Sequence, residues 1–413
     1  MILQSAAGIV CIIALAWIMS ENRPRACLKT AAWSVGLQFL LALIFLKLPP
    51  VKSVFLEFNR VILALQEATL AGTGFVFGYV GGKDIPFLES GAGSSFIFAF
   101  QAMPLILVIS ALSALLFHWR VLPAVVQGFS KVLQKSLRLG GAVGVAAAAN
   151  VFMGMVEAPI LVRPYLVVLK RAELFMIMVC GMATIAGTMM VLYAGILTPV
   201  LPGALGHLLT ASIINLPAAI AIARLMIPET EPPTLGSLEI TAEDRNAMDA
   251  IVRGTLNGVQ LLINIIALLI VLVALVSLAN QILDLLPHFD GAAITLQRLF
   301  GTLLSPLALA MGVPWAEVHV AGSLLGTKVV LNELIAYVEL THLPEGALSE
   351  RSRMIMIYSL CGFANFGSLG IMIGGMGVLA PERRDEIIAL GLKSIAAGTL
   401  ATCLTGAVIG TIL

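Results

Sequence analysis

Two glutamates stand inside apolar sequence: Glu157 in Asn150-Val-Phe-Met-Gly-Met155-Val156-Glu157-Ala-Pro159, and Glu333 in Val330-Leu-Asn332-Glu333-Leu334. A run of small residues with hydroxyls or an amide follows each of them. After the first comes Gly181-Met-Ala-Thr184-Ile-Ala-Gly187-Thr188; after the second comes Gly362-Phe-Ala-Asn365-Phe-Gly367-Ser368. A carboxylate in an apolar membrane segment is costly and marks a candidate for handling an ion or substrate. The competing reading is a structural ion pair with Arg163 or Lys328. Ser, Thr and Asn beside Gly serve either a ligand or a neighbouring helix, and their recurrence at matching places favours the ligand. Asn332 either binds ligand or holds the turn before Glu333.

Other chemistries find no support in the sequence. The five His are scattered near loops (His118, His207, His288, His319, His342), and the five Cys show no paired spacing. No Walker, GxSxG or HExxH pattern occurs, so neither an ATP-driven pump nor an enzyme is indicated, and no organic cofactor. With 24 basic and 23 acidic residues, no bulk field points to nucleic acid.

The elements that must position these residues follow from composition. Of 413 residues, 59% are hydrophobic and 11% charged, against about 45–50% and about 25% in soluble domains. That excludes a soluble enzyme and a disordered chain, and leaves a polytopic membrane protein. Apolar runs long enough to span cover 2–20, 30–48, 94–117, 174–196, 208–226, 256–285, 354–379 and 387–412. The first has no basic leader and no cleavage site and reads as a mature span. Segments 52–70 and 118–138 are too polar to span and read as interfacial helices. Stretches 140–169 and 303–341 are apolar but interrupted.

Basic residues in the first loop (Arg23, Arg25, Lys29) place that loop in the cytoplasm. If both interrupted stretches return to the side they entered, the basic segments at 118–138, 170–171 and 383–384 also fall inside and both termini lie outside. Arg351 and Arg353 run against this pattern. The expected fold is an all-α polytopic membrane protein: about eight transmembrane helices plus two re-entrant helical hairpins in an inverted repeat. Its parts are scaffold spans with interfacial helices (1–138), a first repeat (139–227), a linker with span six (228–294) and a second repeat (295–413). Inverted repeats with broken helices mark secondary transporters, because non-helical backbone at membrane depth is tolerated only where protein or a cavity satisfies it. In span six, Asn257, Gln260 and Asn264 share a helical face that meets either a cavity or another helix. Arg163 reads as an interfacial anchor.

The segments Gly154-Met-Val-Glu-Ala-Pro-Ile-Leu-Val-Arg-Pro-Tyr165, Ala183-Thr-Ile-Ala-Gly-Thr188, Leu331-Asn-Glu-Leu-Ile-Ala-Tyr337 and Leu360-Cys-Gly-Phe-Ala-Asn-Phe-Gly-Ser368 resemble those of the concentrative nucleoside transporter family, here as a bacterial nucleoside permease. The likeness runs over nearly the whole chain. It implies a homotrimer in membrane lipid, multi-pass in the bacterial inner membrane. Each protomer would be a symporter, coupled to sodium or protons, that imports nucleosides by alternating access. Glu333, Asn365 and Ser368 would bind the ribose, with Asn332 beside them and Phe363 near the sugar. Glu157 would meet the nucleobase edge, with Met189 packing on the base. A sodium ion would take backbone oxygens of Asn150, Met153 and Ile185 and the Thr184 hydroxyl.

Two positions depart from the family pattern. Met155 stands where the family has a Gln, and Val156 where it has a hydroxyl that helps complete the sodium shell. Base recognition is therefore expected to be altered, with fewer polar contacts and broader or purine-leaning selectivity, and coupling to protons through a buried Glu stays open beside sodium. Also open are a same-fold carrier of a modified nucleoside or nucleobase, and a passive channel.

Overall fold

The computed structural model describes residues 1–83, 96–232, 234, 244–287 and 293–413, with the side chains of 49–59 and 62 outside that description. His288 and residues 233 and 235–243 of the polar linker also lie outside the described residues. In chain order the helices are α1 (Ile2–Ile18), α2 (Leu28–Lys47), α3 (Pro49–Phe77), α4 (Phe98–Gln101), α5 (Leu105–His118) and α6 (Val121–Leu137). They continue as α7 (Gly141–Ala149), α8 (Glu157–Leu161), α9 (Arg163–Leu166), α10 (Arg171–Ala183), α11 (Gly187–Leu197), α12 (Ala204–Met226) and α13 (Ala247–Leu283). The chain ends with α14 (Leu296–Ala310), α15 (Val318–Val330), α16 (Glu333–Thr341), α17 (Glu350–Leu360), α18 (Phe366–Leu379) and α19 (Arg384–Ile412). Among the described residues no strand occurs.

Among the described residues, 6 helical segments are long and apolar enough to cross a membrane: Leu28–Lys47, Phe98–His118, Arg171–Leu197, Ala204–Met226, Ala247–Leu283 and Pro381–Ile412. The shorter α1 and the pair α17/α18 occupy the two remaining expected spans. The Gly-rich stretch from Gly72 to Gly82 is helical to Phe77 and turns at Gly78.

A four-part order occurs twice: an amphipathic helix, a helical hairpin, a broken span and a continuous span. The first set is α6, α7–α9, α10/α11 and α12; the second is α14, α15/α16, α17/α18 and α19. The interrupted stretch read as 303–341 is therefore two units. Gly312, at φ +95°, ends α14, and the hairpin proper is α15 and α16. The apolar face that α14 lays on α15 hid this boundary, since both read as one apolar run.

The ends of the bundle show that the two sets run oppositely. At one end Arg351, at the start of α17, donates to Gly312 O (2.6 Å), Ser5 Oγ (3.0 Å) and Gly410 O. The beginning of α1 and the end of α19 thus lie together. At the other end Glu21 accepts from Arg171 (3.0 Å), which opens α10, and from Lys393 of α19 (2.6 Å). So α10 and α17 start at opposite ends. Arg351, which ran against the charge pattern, is consumed by these carbonyl groups.

The most deeply buried elements are α10, α12 and the second half of α19. By contrast α13 is exposed along most of its length. It meets α5 through Gly254 and Gly258, where a Cβ on Gly254 would come within 2.7 Å of Ser110 O. Small residues let helices pack closely where lipid supplies no hydrophobic drive.

Candidate functional site

Helix α10 stops at Ala183 because Thr184 is extended (φ −110°, ψ 172°), and α11 starts at Gly187. Helix α17 stops at Leu360, and α18 starts after Asn365. The two breaks touch. The Phe363 N–H donates to Thr184 O at 3.3 Å, and a Cβ on Gly362 would come within 2.9 Å of Ala183 O. Only glycine permits that crossing without a shift. The first hairpin joins the same centre, since the Gly187 N–H donates to Phe152 O at 3.0 Å.

Carbonyls freed at a break must be satisfied, because a buried unpaired one costs about 1–3 kcal/mol. Lys328, fully buried in α15, donates from Nζ to Ser359 O (2.8 Å) and Thr402 Oγ1 (2.9 Å). Asn215 of α12 donates from Nδ2 to Ala183 O (2.8 Å) and Cys361 O (2.6 Å). Tyr337 donates to Ile357 O at 2.9 Å.

Beside the breaks lies a partly open cavity of about 160 Å³. Its wall brings together every substrate-binding candidate of the sequence: Met155, Val156 and Glu157 from the first hairpin, Met189 from α11, Asn332 and Glu333 from the second hairpin, and Phe363, Asn365 and Ser368 from the second break. Thr188 joins them. The far wall is an apolar face of α13, including Leu261, Ile265 and Leu269.

Glu333 is the polar centre and only 3% exposed. Tyr193 OH donates to its Oε1 at 2.5 Å, and Asn365 Nδ2 to its Oε2 at 2.9 Å. A carboxylate offers about four acceptor sites, so roughly two remain for a ligand. Asn332 caps α16, accepting from Ile335 N–H (3.0 Å), and Asn365 caps α18, accepting from Ser368 N–H (2.7 Å). Asn332 thus holds the turn, as one of its two readings required. Glu333 opens α16, where the positive helix end favours an anion. Lys328 Nζ makes its hydrogen bonds to Ser359 O and Thr402 Oγ1 rather than to Glu333.

Glu157 differs. It is exposed at the cavity rather than buried, and its Oε2 accepts from the Gly154 N–H at 2.5 Å. Its helix follows an irregular loop and has no side-chain cap. Of the residues considered for sodium, Asn150, Thr184 and Ile185 are buried and Met153 is half-buried. Thr184 donates its hydroxyl to Cys180 O at 2.8 Å. Asn150 has neither Nδ2 nor Oδ1 hydrogen-bonded. The stripe Asn257, Gln260 and Asn264 is exposed among the described residues, and Gln260 donates to Asn264 at 3.2 Å. Arg163 is exposed as well.

Sequence reasoning passed over Tyr193 and Asn215. Tyr193 sits one turn past Met189 on the same face of α11. Asn215 is an amide in a span otherwise read as apolar, a signal of the same kind as the glutamates.

The chain matches the family models described as "Na+ dependent nucleoside transporter C-terminus" over residues 207–410, "Na+ dependent nucleoside transporter N-terminus" over 7–80 and "Nucleoside recognition" over 99–200. It is 36% identical to an uncharacterized transporter of Haemophilus influenzae, covering 99% of this chain and 97% of that one. It is 32% identical to the putative nucleoside permease NupX of Escherichia coli, covering 99% and 98%. Among solved structures, CNTnw in an inward-facing substrate-bound state superposes with a TM-score of 0.89 at 34% identity, over 99% of this chain and 98% of that one.

Proposed function

The chain belongs to the concentrative, Na+-dependent nucleoside transporter family, a family of transporters rather than enzymes, and on that premise we propose that it imports nucleosides across a bacterial inner membrane in symport with sodium. The observation that carries this reading is the convergence on Glu333. Its two remaining acceptor sites suit the two vicinal hydroxyls of a ribose, while Tyr193 and Asn365 hold the carboxylate in place. Phe363 closes the sugar side, and Met155, Val156, Met189 and the α13 leucines form an apolar slot for the base. Glu157 is the polar group of the first hairpin that reaches the base edge, as an acceptor for ring or exocyclic N–H.

Sodium would be held where the first hairpin meets the first break. The free Oδ1 of buried Asn150 supports an oxygen ligand set there, with carbonyls of Met153 and Ile185 and the Thr184 hydroxyl. Val156 adds no oxygen, and water completes the shell. Loading of sodium and nucleoside must favour the same conformation, since a ligand shifts an equilibrium only by differential affinity. The protein acts as a homotrimer with both termini periplasmic. The polar stripe Asn257, Gln260 and Asn264, exposed on a membrane-length helix, needs partners that lipid does not supply and that neighbouring protomers would.

The test is uptake of radiolabelled uridine and adenosine into proteoliposomes under an inward sodium gradient or an inward proton gradient. Accumulation with sodium alone is expected. Accumulation with protons alone would replace sodium by a protonated glutamate, with Val156 as the reason. Accumulation of neither nucleoside would shift the substrate to a modified nucleoside or a free base.

A further inference from the structure

The only amide on α12 that reaches the breaks serves both of them. Asn215 is fully buried, and both of its N–H groups and its oxygen are hydrogen-bonded. One N–H goes to Ala183 O at 2.8 Å, the last residue of α10; the other goes to Cys361 O at 2.6 Å, just past α17. Its Oδ1 accepts from Thr405 Oγ1 at 2.5 Å. Gln38 of α2 donates to that same hydroxyl at 2.7 Å, and the Thr405 proton goes to Asn215 as the nearer acceptor, with Ala401 O at 3.2 Å. Carbonyls cannot donate, so the amide has one workable orientation.

Resting on the symport reading above, we infer that Asn215 is a positioning residue that couples the two ligand sites. Ala183 precedes Thr184 and Ile185, where the cation is placed. Cys361 precedes Phe363 and Asn365, which line the nucleoside cavity. One planar amide fixes both carbonyls, so a shift of either break strains the hydrogen bond to the other. The backbone bond from Phe363 N–H to Thr184 O is a second, longer link at 3.3 Å. Ordering of one break by its ligand therefore pre-orders the other. Such coupling is reciprocal between ligands.

The measurement is equilibrium binding of tritiated uridine and adenosine to the purified full-length chain, titrated with sodium and, in parallel, with pH. The ratio of Kd at low and saturating cation is the coupling factor, about 5 or more in a coupled protein. Asn215→Ala and Thr405→Val should each bring that factor at least halfway to one, whereas Thr405→Ser should keep it. If Asn215→Ala does not fold, the Thr405 pair decides, because it touches neither break directly. A Thr405→Val protein with the wild-type factor, or a wild-type Kd indifferent to both cations, overturns the inference. A wild type that binds neither nucleoside defeats the transport reading itself.

Discussion

In the second half of the repeat, both half-helices that begin at the cavity start on an asparagine: Asn332 caps α16 and Asn365 caps α18. A lysine, Lys328, closes the carbonyl end of the broken span. In the first half the corresponding starts are Val156 and Ala186, with no side-chain cap. The last turn of α7 is a run of alanines, and the amide that follows, Asn150, has no partner. The second half caps its own helix starts and carries a fixed cation, while Asn215 of α12 meets its Cys361 O. The first half leaves the Asn150 side-chain amide unspent. Similar chain paths thus yield a half with asparagine-capped helix starts and a half without side-chain caps; on the proposed reading the capped half would hold the sugar and the uncapped half the cation and the base. The two halves differ in how each break is capped, not in where it is.

Four changes would break or sharpen this contrast. The largest effect is expected from Glu333→Gln, which removes the charge that Tyr193 and Asn365 hold. With charged hydrogen bonds worth about 1.5–3 kcal/mol each, uptake should fall by roughly a hundredfold or more while the protein still folds. Glu157→Gln should cost about tenfold at most, since Glu157 is exposed. Equal losses at the two glutamates, read as kcat/KM, would contradict the asymmetry.

Val156→Thr restores an oxygen to the first half. The half-saturating sodium concentration should fall by about threefold to tenfold, as one neutral oxygen contact of about 1 kcal/mol would give. The nucleoside KM at saturating sodium should hardly move. An unchanged sodium dependence would show that this half does not complete its shell at residue 156.

The smallest effect is expected at Glu21, which bridges Arg171 of the first half and Lys393 of the second, away from both breaks. The hydrogen bond from Arg171, opposed by partial burial and aided by Lys393, holds the Glu21 carboxyl below its ordinary value of 4.5. A lowered folded-state value stabilises above that ordinary value, and the gain is lost as pH falls through the folded one. Glu21→Gln should therefore lower the melting temperature by at most about 2 °C at neutral pH, and by progressively less as the pH falls below the ordinary value of 4.5. A change in nucleoside KM would show that this bridge reaches the cavity.

Much of the architecture was legible because membrane thickness and backbone chemistry constrain sequence tightly. Long apolar runs mark the spans, and glycines beside Thr184 and Asn365 mark the breaks. The cavity candidates were legible because a carboxylate such as Glu333 has few reasons to sit among leucines. Less legible was α14, whose apolar face merges in sequence with that of α15. Glu157 was read as buried like Glu333, because composition does not tell a cavity wall from a packed interior.

By itself the sequence determined that polar groups and broken backbone would exist at membrane depth, and in which segments. Only the tertiary structure decided who satisfies whom. Asn215 meets Ala183 and Cys361, Lys328 meets Ser359, Tyr193 meets Glu333, and Arg351 meets Gly312 and Gly410. All these partners are far apart in sequence. A dry interior requires that each donor find an acceptor, but it leaves the choice of partner to whichever helices the fold brings within about 3 Å.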